Sequence, residues 1–154
     1  MERIFIRYAK VSDIGQIHAV NKECLPLYYA TYELMIIMSM NQYFIVVAEN
    51  ETIGKIIGFL IARIERDNQV HILSFGVSQN YRKHGIGTKL IKFLQSGLNL
   101  KYRLLTLYVH TENVNAIRFY KKNGFVVNNI VENYYLGSLK GCRSYDAYFM
   151  VKLI

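Results

Sequence analysis

The sequence has no tryptophan, a single proline (Pro26) and two cysteines, Cys24 and Cys142, in 154 residues. The cysteines form no C-x-x-C pair, and the four histidines (His18, His71, His84, His110) lack metal-ligand spacing, so no metal is expected and the thiols read as ordinary buried or surface groups. Long apolar runs are missing too. Tyr43 to Ala48 and Ile56 to Ala62 stop or are interrupted after about seven residues, against roughly 20 for a bilayer-crossing helix, which excludes a membrane span. Met1-Glu2-Arg3-Ile4 shows none of the regions of a secretory leader, so the expected location is cytoplasmic. Acidic residues are scarce: 11 Asp and Glu face 19 Lys and Arg, a formal charge of +8. That excess attracts polyanions, and a phosphorylated cofactor, the ribosome and free nucleic acid all qualify. Basic residues such as Arg3, Lys83, Lys121 and Lys140 are spread along the chain instead of filling one block, which suits a generic basic surface equally well, and no specific nucleic acid is expected.

What is present is a chain 52% hydrophobic and 19% charged, the composition and length of one compact domain over residues 1–154. Ile4 to Tyr8 reads as a strand, and Ser12 or Asp13 caps a helix whose Ile14, Ile17, Val20 and Cys24 recur at helical spacing until Pro26 breaks it. A second helix is predicted over Tyr28 to Met40, then strands over Tyr43 to Glu49, Ile56 to Glu65 and Val70 to Ser78, with Gly54 and Gly58 as bend or bulge points. Leu90, Ile91, Leu94 and Leu98 mark a helix over Gly85 to Leu98, and Arg103 to Val109 alternates as a strand. A helix over Asn113 to Asn123 ends at Gly124, followed by strands over Phe125 to Tyr135 and Tyr145 to Ile154 around the polar loop Gly137 to Arg143.

The segment Arg82-x-x-Gly85-x-Gly87-Thr88, between a strand and a helix, is suited to phosphate. The first N–H groups of a helix lack internal partners, glycines let the backbone approach an anion, and Arg82, Lys83 and His84 add positive charge. A dinucleotide fingerprint wants a third glycine where Leu90 stands, and the G-x-x-x-x-G-K-[ST] phosphate loop is absent. A basic turn that merely opens a helix is the bland alternative.

Val77 to Leu90 resembles the acetyl-CoA motif of the GNAT acetyltransferase superfamily, and Asn113-x-x-Ala116-Ile117-x-x-Tyr120-x-x-x-Gly124-Phe125 resembles its second motif. Leu25-Pro26-Leu27-x-Tyr29, the pair Tyr134-Tyr135 and the ending Asp146-Ala147-Tyr148-x-Met150 look like protein N-terminal acetyltransferase catalytic subunits. The resemblance implies an α/β (α+β) GNAT fold: a mixed, mostly antiparallel sheet of about seven strands and four helices, in the order strand, two helices, three strands, helix, strand, helix, two strands. It implies acetyl-CoA as donor, coenzyme A as product and protein N-termini or nascent chains as acceptors, with the ribosome or an auxiliary subunit as partner. Phe75, Gly76 and Val77 would flank the pantetheine arm, with the Val77 N–H stabilising the developing oxyanion. Arg82, Lys83, His84, Gly85, Ile86, Gly87 and Thr88 would cradle the pyrophosphate, and Asn113 would bind the cofactor arm. Tyr120 would protonate the leaving thiolate, although a core tyrosine is an equal reading. Leu25, Pro26, Leu27, Tyr29, Tyr134 and Tyr135 would line the peptide groove, with the loop Gly137 to Arg143 over it.

A base is needed because much of an α-amino group, with a pKa of about 7.7 to 8, is protonated at neutral pH. His71 stands where relatives place a Tyr or His facing the amine, while Tyr108 replaces their usual Glu or His. His71 is therefore the expected base, with Tyr108 holding a water or assisting the proton path, and His110 in reserve. A GNAT enzyme for a polyamine, aminoglycoside or amino acid, or a catalytically silent subunit at the ribosome, are the alternatives. Glu23, Glu33 and Glu132 are the acids available to a small-amine pocket.

Overall fold

In the computed structural model, which describes residues 2–154, β1 (Ile4–Tyr8), β2 (Tyr43–Asn50) and β3 (Lys55–Ile64) pair antiparallel in sequence order. Register shifts once, between Ala48 and Glu49, which lie opposite Gly58 and Ile56 and leave Ile57 as the extra residue of a bulge. The bend expected at Gly58 is thus beside the bulge, and Gly54, at φ 65°, makes the turn before β3. Arg7 of β1 grips Asp13 through two guanidinium bonds of 2.7 and 3.0 Å and also reaches Glu49 at 2.9 Å. Asp13, which also accepts from the Lys10 N–H, closes a 3-10 turn (Val11–Asp13) that leads into α1 (Ile14–Cys24).

α1 buries Ile14, Ile17 and Val20 as the spacing predicts. α2 (Thr31–Ser39) begins three residues later than the predicted Tyr28, because the Glu33 carboxylate accepts the Ala30 N–H at 2.9 Å and fixes the first turn there. Leu34 and Ile37 of α2 join Ile17, Phe59 and Ile61 in the core, each such burial contributing roughly 1.5–3 kcal/mol. β4 (Gln69–Val77) follows, then a second 3-10 turn (Gln79–Tyr81) and α3 (Ile86–Gly97), whose Ile86, Leu90, Ile91 and Leu94 are buried.

β5 (Leu104–His110), α4 (Val114–Lys122), β6 (Val126–Val131) and β7 (Ala147–Leu153) complete the chain, with β7 antiparallel to both β5 and β6. Asn113 caps α4 by accepting the Ala116 N–H, and Gly124, at φ 93°, ends it as expected. β6 stops at Val131, short of the predicted Tyr135: Asn133, at φ 55°, turns the chain away, its N–H donating to Asp146. The Tyr134-Tyr135 pair therefore lies in the connection between β6 and β7, outside regular strand.

Among the described residues seven strands and four α-helices occur in the expected order, and the hydrogen-bonded strand order is β1-β2-β3-β4-β5-β7-β6. The chain forms two compact units, one reaching to Ile64 and resuming over Ile72–Asn99, the other comprising Glu65–His71 and Leu100–Ile154. Among the described residues no helix is long and apolar enough to cross a membrane.

Candidate active site

In the first unit, the stretch from β4 to α3 turns through left-handed backbone. Lys83 and Gly85 take positive φ, 66° and 79°, and Gly85 is the N-cap of α3. Arg82, Lys83, His84 and Gly85 are exposed, Thr88 is half-buried, and Ile86 and Gly87 are buried in the first helical turn. The positive φ at Gly85 is the reason for glycine there, since open space surrounds the position of a Cβ.

The end of α1 supports this turn. Glu23 accepts the Ser78 hydroxyl at 2.7 Å and the Gln79 N–H at 2.8 Å, and these bonds, with Arg82 nearby, hold its carboxyl below the usual range. The Val77 carbonyl accepts from the Cys24 thiol at 3.4 Å and from Arg82 Nε at 2.8 Å. Arg82, expected to reach pyrophosphate, is thus anchored on the last residue of β4. Burial pushes the Cys24 thiol up, against the pull of the Arg82 cation. Phe75 and Val77 are half-buried, while Gly76 is buried so tightly that a Cβ would come 2.8 Å from the Cys24 Cβ. No sequence pattern points to Glu23 or Cys24, because they lie more than 50 positions from their partners.

Leu25, Pro26, Leu27 and Tyr29 lie in the connection between α1 and α2, with Leu25 and Tyr29 packed on the core and Pro26 and Leu27 exposed. The fully buried Asn21 fixes this connection: its Oδ1 accepts the Tyr29 N–H at 2.9 Å and its Nδ2 donates to Ser74 at 3.3 Å. His18 Nδ1 is 2.9 Å from the Tyr29 carbonyl. Tyr29 and Glu33 line an open pocket of about 330 Å³ with Tyr43, Arg63 and Leu73.

In the second unit, His71 is buried, and its Nδ1 lies 2.7 Å from the Thr106 hydroxyl. Its ring meets Tyr108 edge to face at a centroid distance of 5.3 Å. Tyr108 stacks on Tyr134 at 4.3 Å, with an interplanar angle of 19°, and tilts against Phe149 at 5.0 Å. Tyr134 in turn meets Tyr135 edge-on. Burial, with Tyr134 beside it, pushes the Tyr135 phenol up to about 12, so it stays protonated at neutral pH. The structure therefore brings together His71, Tyr108, Tyr134 and Tyr135 and adds Thr106 and Phe149, which the sequence reading missed; both are ordinary strand residues by pattern.

Tyr120 of α4 is buried, and burial raises its phenol, with Tyr135 adding to the shift. Asn113 uses Oδ1 as the cap of α4, accepting the Ala116 N–H at 3.2 Å. His110, the reserve base of the sequence, donates its Nε2–H to the Ser144 carbonyl at 2.7 Å, with Glu112 3.3 Å from the same nitrogen.

The acetyltransferase (GNAT) family matches residues 14–125. The catalytic subunit NAA10 of the N-terminal acetyltransferase A complex of Arabidopsis thaliana is 32% identical over 139 residues, covering 86% of this chain and 71% of its own. An N-alpha-acetyltransferase of Sulfolobus acidocaldarius is 30% identical over 158 residues, covering 94% of this chain and 89% of its own. Among solved structures, Ard1 of Thermoplasma volcanium has a TM-score of 0.84 at 27% identity, over 98% of this chain and 97% of that one. Motifs, fold and relatives agree: the chain belongs to the GNAT acetyltransferase family, beside its N-alpha-acetyltransferases, and is an acetyl-CoA-dependent acyltransferase.

Proposed function

We propose that the protein acetylates the free α-amino group at the N-terminus of proteins or peptides by direct transfer from acetyl-CoA. The carrying observation is His71, fixed by the Thr106 hydroxyl and set against the Tyr108 ring, which itself stacks on Tyr134. With Nδ1–H donating to Thr106, Nε2 keeps its lone pair and serves as the base. It takes one proton from the α-ammonium, directly or through water held by Tyr108, and the resulting amine forms the new N–C bond as the C–S bond breaks. The Val77 N–H stabilises charge on the thioester oxygen, a role worth roughly 3 kcal/mol. The Tyr120 hydroxyl, kept protonated by burial, serves as hydrogen-bond and proton donor to the leaving thiolate. The turn from Arg82 to Thr88 cradles the pyrophosphate, Asn113 binds the cofactor arm, and residues 1–154 make up a single acetyltransferase domain.

Leu25, Pro26, Leu27 and Tyr29, fixed by Asn21, and the Tyr134-Tyr135 pair receive the first residues of the peptide, under the loop Gly137 to Arg143. Its acceptors are nascent chains at the ribosome in the cytoplasm, alone or with an auxiliary subunit, a setting compatible with the +8 charge. The small-amine reading draws on Glu33 in its open pocket, since Glu23 is already committed to Ser78 and Gln79. A peptide panel varying the first two residues, each peptide with a free and a blocked N-terminus, beside a polyamine, separates the two. Transfer only to free N-termini supports the proposal, and transfer only to the polyamine rejects it.

A further inference from the structure

His110 ends β5, Glu112 follows in the turn before α4, and Cys142 lies far along the chain in the loop between β6 and β7. One ligand atom from each, an imidazole nitrogen, a carboxylate oxygen and a thiol sulfur, all lie within 4.8 Å of one another. We propose that these three side chains form a site for a thiophilic divalent cation of the zinc type, which clamps the loop bearing Cys142 onto the end of β5.

The donor set is the first argument. Nitrogen, sulfur and carboxylate oxygen are the ligands zinc takes, and three protein ligands leave a fourth position for water. Spacing is the second. Metal–ligand distances of about 2.0–2.3 Å put neighbouring donors of a tetrahedral site roughly 3–4 Å apart, so a closure of about an ångström completes it. His110 Nε2 and Glu112 Oε2 already stand 3.3 Å apart.

Support around the ligands is the third argument. The other oxygen of Glu112, Oε1, accepts the Arg143 N–H at 3.1 Å, which orients the carboxylate and ties it to the residue after Cys142. The His110 ring stands edge-on to Tyr135, at 5.4 Å and 89°. Outer contacts of this sort orient ligands before a metal arrives. Cys142 is the adjustable member, next to Gly141, at φ 72°, around which the structure is open.

Coordination exchanges the bond between His110 Nε2–H and the Ser144 carbonyl for one to the metal, with the ring proton moving to Nδ1. Cys142 releases its thiol proton to solvent, and thiolate and carboxylate together balance the dication. The sequence hid this site because Cys142 comes to His110 only through the fold.

The effect on acetylation rests on the proposed peptide groove, whereas metal binding does not, so the test reads binding and loop closure without activity. The chelator-treated full chain is titrated with Zn²⁺ by calorimetry and with Co²⁺ by absorption, and trypsin cleavage after Lys140 and Arg143 is followed with and without Zn²⁺. The expected result is one Zn²⁺ per chain, a sulfur-to-cobalt charge-transfer band, and slowed cleavage at both positions. Cys142→Ser and Glu112→Gln should each weaken binding by roughly tenfold or more and restore cleavage. No binding, unchanged affinity in both variants, or a cobalt complex without the sulfur band overturns the site. Binding that leaves cleavage unchanged overturns the clamp.

Discussion

The turn from Ser78 to Thr88 and the cluster around His71 are assembled in opposite ways. The turn is one contiguous stretch shaped by positive φ at Lys83 and Gly85 and braced from α1 by Glu23 and Cys24. The cluster draws one or two residues each from β4, β5, the β6–β7 connection and β7: His71, Thr106 and Tyr108, Tyr134, Phe149. Phosphate asks for backbone N–H groups and positive charge, which neighbouring residues supply together. Proton transfer asks for side chains converging from separate strands, with one ring nitrogen fixed so that the other can act.

Substitutions should divide along the same line. His71→Ala is expected to have the largest effect, lowering kcat by about 10²- to 10⁴-fold with acetyl-CoA affinity nearly intact. An unchanged kcat in steady-state assays removes His71 from the chemistry. Arg82→Ala should do the reverse, weakening acetyl-CoA binding by roughly 10- to 100-fold in calorimetry with kcat largely kept, since it removes charge-assisted bonds. Thr106→Val, which keeps the shape and removes the partner of His71 Nδ1, should lower kcat by about tenfold and leave the peptide KM in place. A rise in KM alone would assign Thr106 to peptide binding instead.

The smallest effect on catalysis comes from the Arg7–Asp13 pair, which lies in neither region. Bonding to Arg7 above all, and then the Lys10 N–H, holds the Asp13 carboxyl below its ordinary value, against the opposing effect of burial. Its contribution to stability is complete above the unfolded-state value of about 3.9 and is lost as pH falls through the lowered folded value. Asp13→Asn should flatten that acid limb in thermal melts between pH 6 and about 2 and leave kcat at neutral pH unchanged. An acid limb identical to that of the parent chain would mean that other carboxylates set it.

The fold was legible because α1, α3 and α4 carry apolar stripes with clear stops at Pro26 and Gly124, and because the strands are rich in Ile, Val and Phe. The errors sit where a side chain overrode local pattern. Glu33 capping Ala30 delayed α2, and Asn133 with its bond to Asp146 ended β6 early. The glycine-containing turn before α3 is legible in its spacing, and the family resemblance singles out His71 and Tyr108. Thr106, Phe149, Asn21, Glu23 and the grouping of His110 with Glu112 and Cys142 had no such signal, because each acts through a partner distant in sequence.

The central claim is tested most directly with one peptide that carries both a free N-terminal amine and an internal lysine, incubated with the purified protein and acetyl-CoA. Fragmentation mass spectrometry then locates the acetyl group. The account predicts acetylation of the α-amine alone, abolished when that amine is blocked; acetyl groups on the lysine side chain with the α-amine untouched would contradict it.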